Sequence, residues 1–179
     1  MKRALIVLLG LALGLVAYSQ LARHMAHGTP PPMAAAQDQA DAVIVDKAAR
    51  RMQLMRGTQM LAEYPISLGG APAGHKTREG DERTPEGTYL IDWRNGRSIA
   101  HLSLHISYPN AADRSAAEAR GEDPGGNIMI HGILNGWGWV GALHRSWDWT
   151  NGCIAVTNAE MREIWSLVPN GTPITILPG

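Results

Sequence analysis

The rhythm of hydrophobic and polar positions changes three times along the chain. From Ala4 to Ala22 no charged residue interrupts a run rich in Leu, Ala, Val and Gly. His24 to Ala40 then has Pro, Ala, Gly, Met and Gln without any apolar period, the composition of a flexible linker. From Asp41 onward short apolar runs follow a period of two, which predicts β-strands over 42–46, 51–55, 60–67, 88–93, 98–107, 128–130 and 172–177. A helical alternative over 47–54 stays open, because Ala-Ala-Arg-Arg-Met favours helix. The first three strands read as a meander, and Asn95-Gly96 predicts a hairpin turn between the fourth and fifth. A period near 3.6 is clear at one place only. Thr157-Asn158-Ala159-Glu160 forms a capping box, and Met161, Ile164, Trp165 and Val168 make the buried stripe of a helix ending at Pro169-Asn170-Gly171. The elements predict a mainly β (β-rich α+β) domain, a barrel- or sandwich-like sheet with one main helix after Cys153.

Three connections are too long for simple turns: 69–87, 108–126 and 133–149. The first carries Lys76, Arg78 and Arg83 among glycines and prolines. The second includes an Ala/Glu/Arg stretch, 113–120, able to form a short helix. The third holds four of the six tryptophans, with Gly136-Trp137-Gly138-Trp139 alternating the most permissive residue with the largest. Such a loop suits a groove cover offering aromatic surface to a sugar or peptide, core packing being the alternative.

Composition narrows the reading. A length of 179 residues suits one domain plus a tail. Sixteen basic residues balance sixteen acidic ones, which gives no support to nucleic-acid binding or a polybasic membrane surface. Lys2 and Arg3, the apolar run to Ala17 and Ala17-Tyr18-Ser19 match an export signal over 1–19, with residues 20–40 as linker and 41–179 as the folded domain. The same run, extended over residues 4–22, is equally able to remain as an inner-membrane anchor. Either way the domain is expected on the periplasmic, cell-envelope side.

Cys153 is the only cysteine and cannot form an intramolecular disulfide. A thiol nucleophile needs a base, since only a few per cent of a free thiol is ionised at neutral pH. His131, at the end of a short apolar run, is the candidate. The backbone amides of Gly152 and Cys153 are candidates to face a developing oxyanion. A zinc site from His101, His105 and His131 is conceivable but lacks cysteine partners and a His-Glu-x-x-His helix. Thiol acyl transfer needs no metal and no cofactor.

His131-Gly132, a spacer and Thr150-Asn151-Gly152-Cys153-Ile154, preceded by Gly80-Asp81-Glu82-Arg83-Thr84-Pro85-Glu86-Gly87-Thr88-Tyr89, together resemble the L,D-transpeptidase family (YkuD domain). The resemblance covers 41 to the C-terminus. It implies a cysteine acyltransferase forming cross-links between peptidoglycan peptide stems, with Cys153 as nucleophile and His131 as general base and acid. It also implies Gly132 as the residue whose carbonyl orients His131, and a groove wall on which Arg83 and Lys76 meet substrate carboxylates. Arg83 paired with Asp81 or Glu86 is the bland alternative. Asn151, Trp137 and Trp139 complete the expected substrate contacts. Asn151 stands where many members have His, Ala155 where many have Arg or Asn, and the spacer is long. Two competing readings remain: a cysteine hydrolase on the same scaffold (L,D-carboxypeptidase or amidase), and a peptidoglycan-binding module without activity.

Overall fold

The computed structural model describes residues 2–25 and 27–179. The expected meander is present: β1 (Ala42–Asp46), β2 (Arg51–Arg56) and β3 (Gln59–Pro65) pair antiparallel in succession. Residues 47–50 form a turn, so the helical alternative there is not adopted. Val43 and Val45 of β1 point inward together with Met52 and Leu54 of β2, as period-two alternation requires. The later strands are β4 (Gly87–Asn95), β5 (Ser103–Ile106), β6 (Met129–His131), β7 (Ile154–Ala155) and β8 (Pro173–Leu177).

The strand order is β3-β2-β1-β8-β4-β5-β6-β7. The last strand therefore sits in the middle of the sheet, parallel to β1 with Val43 opposite Ile174 and antiparallel to β4 with Tyr89 opposite Ile174. Beyond β3 the chain reaches the far edge, where Ser67 bridges Ala155 and Gly69 bridges Thr150. Those two bridges bring the sheet's ends together, so the eight strands curl into a mainly β, barrel-like layer around one core.

Two helices flank it. In α2 (Ala111–Ala119) the Asn110 side chain accepts from the amides of Ala112 and Asp113, and Asp113 returns the bond to the Asn110 amide. The Thr157–Glu160 capping box opens α3 (Asn158–Leu167) in the same reciprocal way. Met161, Ile164 and Val168 are fully buried beneath α3. At its C-terminus Arg94 donates to the carbonyls of Trp165 and Val168 while its guanidinium lies 4.8 Å over the Trp165 ring, satisfying acceptors the helix leaves open.

The fifth strand departs from expectation. It begins at Ser103 rather than at 98, and His101 adopts a left-handed φ of 65°. A tertiary bond overrides the local hairpin signal, the Asn135 side chain accepting from the His101 amide at 2.8 Å, and a local one, from the Ala100 amide to Ser98 Oγ, turns the chain before it. Histidines 101 and 105 consequently do not share a strand face.

α1 (Lys2–Met25) is the apolar N-terminal run as a single helix, and Arg3–Met25 is long and apolar enough to cross a membrane. The segment expected as a flexible linker lies along the domain. Gly28 donates to the His101 carbonyl, Ala34 to Ser166 and Ala40 to Leu167. Arg162 also donates to the Thr29 carbonyl.

Candidate active site

β6 delivers His131 and β7 follows directly from Cys153. The two strands are parallel, with Ile130 opposite Ile154 and His131 opposite Ala155, so the register sets the thiol and the imidazole beside one another. His131 Nδ1 lies 2.6 Å from the Gly132 carbonyl oxygen, to which it donates, and Nε2 is thereby left for the thiol. The sulfur also has the Asn127 carbonyl at 3.7 Å.

Burial and partnership act against one another on both groups. Burial pushes the Cys153 thiol up, but hydrogen bonding and charge from His131, with smaller help from the Met129 amide and the Lys76 ammonium, outweigh it and hold the thiol below its ordinary value. Burial pushes His131 down, and its bonds to Cys153 and the Gly132 carbonyl outweigh that and leave it raised. The opposed directions favour a thiolate beside an imidazolium.

The turn before the thiol is tightly specified. Thr150 Oγ1 donates to the Cys153 carbonyl at 2.8 Å and accepts from the Gly152 amide at 3.1 Å. Gly152 has φ 116°, and a Cβ there would stand 2.5 Å from the Arg83 carbonyl oxygen. Only glycine fits. Because Thr150 already takes the Gly152 amide, that group is not open to an oxyanion in this conformation, which corrects the assignment to Gly152 and leaves the Cys153 amide as the candidate.

The cleft over the thiol has a volume of about 590 Å³, and Asn127, Met129, Ile99, Leu134, Trp149, Asn151 and the arginines Arg23 and Arg97 line it with the dyad. Trp149 packs edge-on against His131 with ring centres 5.7 Å apart. Asn151 is exposed on the rim. Trp137 and Trp139 lie outside this cleft: Trp137 lines an apolar groove with Ile133, Leu134, Val140 and Trp147, and Trp139 is 75% exposed. Trp149 was the tryptophan to single out; its place immediately before the Thr-x-Gly-Cys turn was the available signal.

The cations of the first long loop are elsewhere. Lys76 is buried, with Asp81 at 2.9 Å and the Arg78 carbonyl at 3.0 Å. A lysine held in that way cannot reach out to a substrate carboxylate, so the expected binding role of Lys76 is corrected to a structural one. Asp81 is held down to about 2: burial raises it, and the Thr77 amide, Lys76 and the amides of Arg83 and Arg78 overcome this. Lys47 is likewise buried, bonded to Glu86 and to the Gly74 and Thr84 carbonyls. With Asp81 and Glu86 so engaged, the Arg83 guanidinium pairs with neither; it reaches the His75 carbonyl at 3.5 Å and borders a separate depression with Thr77 and Arg78. The Arg83 backbone, by contrast, is the floor on which Gly152 rests.

The remaining histidines have separate partners. His105 is bonded to Asp92 and stacked on Trp93, while His101 lies against Gly28 and Gly132. Among the described residues no three of His, Cys, Asp and Glu converge as a metal site. Asp148, between two tryptophans, accepts from Arg50 and from the Leu68 amide and so ties the connector to the sheet's closing edge.

Comparison with known proteins places the chain by family and fold. YafK of Escherichia coli strain K12 is 31% identical over 112 residues, 62% of this chain and 38% of its own. The helical cell shape determining protein Pgp2 from Campylobacter jejuni superposes with a TM-score of 0.59 at 21% identity, over 88% of this chain and 54% of that one. Bd1075 from Bdellovibrio bacteriovorus gives 0.53 at 24% identity, over 83% and 52%. These two show the shared fold. The chain thus spans well under two thirds of the length of each. The model of the YkuD family, the L,D-transpeptidase catalytic domain, matches residues 40–176, which are nearly all of the curled sheet and both site strands, and the chain belongs to that family.

Proposed function

We propose that this chain is a peptidoglycan L,D-transpeptidase of the cell envelope, joining peptide stems through an acyl-enzyme on Cys153. The observation that carries the reading is that parallel β6 and β7, with His131 opposite Ala155, bring Cys153 just before β7 onto the His131 side of the sheet, and that His131 is clamped through Nδ1 on the Gly132 carbonyl. His131 takes the thiol proton at Nε2, and the thiolate attacks a stem amide carbonyl. The oxyanion forms against the Cys153 amide. Collapse expels the amine, which takes its proton from His131, and a thioester remains. An acceptor amine then attacks the thioester, gives its proton to His131 and releases the thiolate with a new amide bond. Arg97 and Arg23 at the cleft supply the positive charge for stem carboxylates that Lys76 cannot.

The test is mass spectrometry of the protein with a disaccharide-tetrapeptide donor, with and without a second stem as acceptor, beside Cys153→Ala. A thioester adduct and a cross-linked dimer are expected, both lost in the variant. Cysteine-dependent shortened stems without dimer would move the activity to hydrolysis. No adduct and no product from intact sacculi would leave a binding module. Alkylation of Cys153 by iodoacetamide checks the dyad: reactivity is expected to persist below the ordinary thiol range, and His131→Ala is expected to shift its midpoint upward, since burial then acts largely unopposed.

A further inference from the structure

We propose that α1 stays on the chain as a membrane anchor and that the connector 133–149 lies in the headgroup layer of the bilayer, a lipid surface being the partner of its exposed Trp139, Leu143 and Trp147. The argument begins with where the anchor ends. Arg3 and Arg23 bracket an uncharged stretch. At 1.5 Å per residue it is about 30 Å long, the thickness of a hydrocarbon core. Large side chains along it, from Leu5 to Val16, are 54–69% exposed, with no part of the domain covering them.

Its last turns, in contrast, are docked. Tyr18 Oη donates to the Gly136 carbonyl at 2.9 Å, and its ring meets Trp137 edge-on at 6.2 Å. Ala22 is 8% exposed and so close to Gly136 that a Cβ there would stand 2.5 Å from it. Asn135 Nδ2 donates to the Arg23 carbonyl at 3.1 Å. Past the helix, His27 Nδ1 lies 3.1 Å from the Ser98 carbonyl and Gly28 donates to the His101 carbonyl, so the described residues after the anchor are held on the domain. A leader that is to be cut after Ser19 would leave through the middle of these contacts.

The docking fixes depth. Tyr18 precedes Arg23 by five residues, about 7 Å along the helix axis toward the bilayer centre. That is the interfacial depth at which Tyr and Trp are enriched. The connector touches the anchor at this level, and Trp139, Leu143 and Trp147 are 75, 69 and 62% exposed on it. An apolar groove runs between Leu134, Trp137, Val140 and Trp147 beside them. Arg23 also borders the cleft of His131 and Cys153, so that cleft opens within about one headgroup layer of the membrane.

The test uses the full chain with Cys153→Ala, reconstituted in vesicles of phosphatidylethanolamine and phosphatidylglycerol. An environment-sensitive fluorophore is placed at Leu143→Cys, or at Glu118→Cys on the far helix α2 as control. The probe at 143 is expected to shift to the blue and to lose most of its emission to lipids spin-labelled near the headgroup, less to lipids labelled at the chain end. The probe at 118 is expected to do neither. Trp139→Ser with Trp147→Ser should reduce the quenching while the protein still floats with the vesicles on α1. A probe at 143 that behaves like 118 overturns the proposal, as does a blue shift without lipid quenching, which would mean a protein cover. The intact mass of the chain from host membranes must be that of the uncleaved protein; a chain beginning at Gln20 overturns it as well. None of these readouts uses catalysis, so they stand or fall apart from the proposed activity.

Discussion

The loop before β4 and the connector after β6 border the same Thr150–Cys153 turn and are built in opposite ways. The first is full of charge that the protein itself neutralises: Lys47 with Glu86, Lys76 with Asp81, both lysines buried. The second has little charge and leaves large apolar groups in the open, Trp139 and Trp147 among them. A cation-rich loop beside a cleft looks like a binding surface in sequence. Here its charges hold a backbone rigid, and it is the aromatic connector that keeps free surface. Desolvation explains the difference, since a buried ammonium must find its counter-charge inside the protein, whereas an exposed indole needs no partner.

Substitutions can break that contrast, and the largest effect belongs to the charged loop. Lys76→Met leaves Asp81 with its amide donors but no counter-ion, and is expected to destabilise the fold by about 3 kcal/mol in denaturant titration. Gly152→Ala meets both a left-handed φ and the Arg83 carbonyl, and a loss of about 2–3 kcal/mol with slower Cys153 alkylation is expected.

A third test probes the buried underside of the connector. His144 is held down to about 4, chiefly by burial and then by Arg145. The unfolded chain therefore binds this proton first as pH falls from about 6.5. Stability present above that value should be lost between about 6.5 and 4, by at most about 3 kcal/mol, and His144→Gln should flatten the profile. Asp81 titrates in a separate window: its depressed value gives stability that is lost as pH falls from about 4 toward 2. Smallest of all, Trp139→Ala should change thermal stability by less than about 0.5 kcal/mol. If Trp139→Ala were as damaging as Lys76→Met, the contrast between the loops would be gone.

The parts legible in sequence are those whose cause is local. Period-two runs disclosed β1 to β4, and the Thr157–Glu160 box with its apolar stripe disclosed α3, because alternation and capping act within a few residues. The Thr-Asn-Gly-Cys turn and His131-Gly132 were visible as motifs, and their adjacency needed only one strand pair. What stayed hidden depends on distant partners. Nothing near Pro173 says that its strand enters between β1 and β4. Nothing near Asn95-Gly96 says that Asn135, far along the chain, holds His101 out of a strand. Lys76 and Trp137 were assigned to substrate because side-chain chemistry was known and burial was not.

The central position of β8 has a consequence for folding. Among the described residues β8 supplies the lateral link between the β1–β3 meander and the strands that hold His131 and Cys153, beside the closing bridges at Ser67 and Gly69. Its pairing with β1 joins residues 43 and 174, a closure of very high sequence separation, and such closures form late and slowly. Until residues 173–177 are in place the β1–β3 meander and the β4–β7 strands have no sheet pairing through β8, so the sheet around Cys153 and His131 is completed by one of its most distant segments.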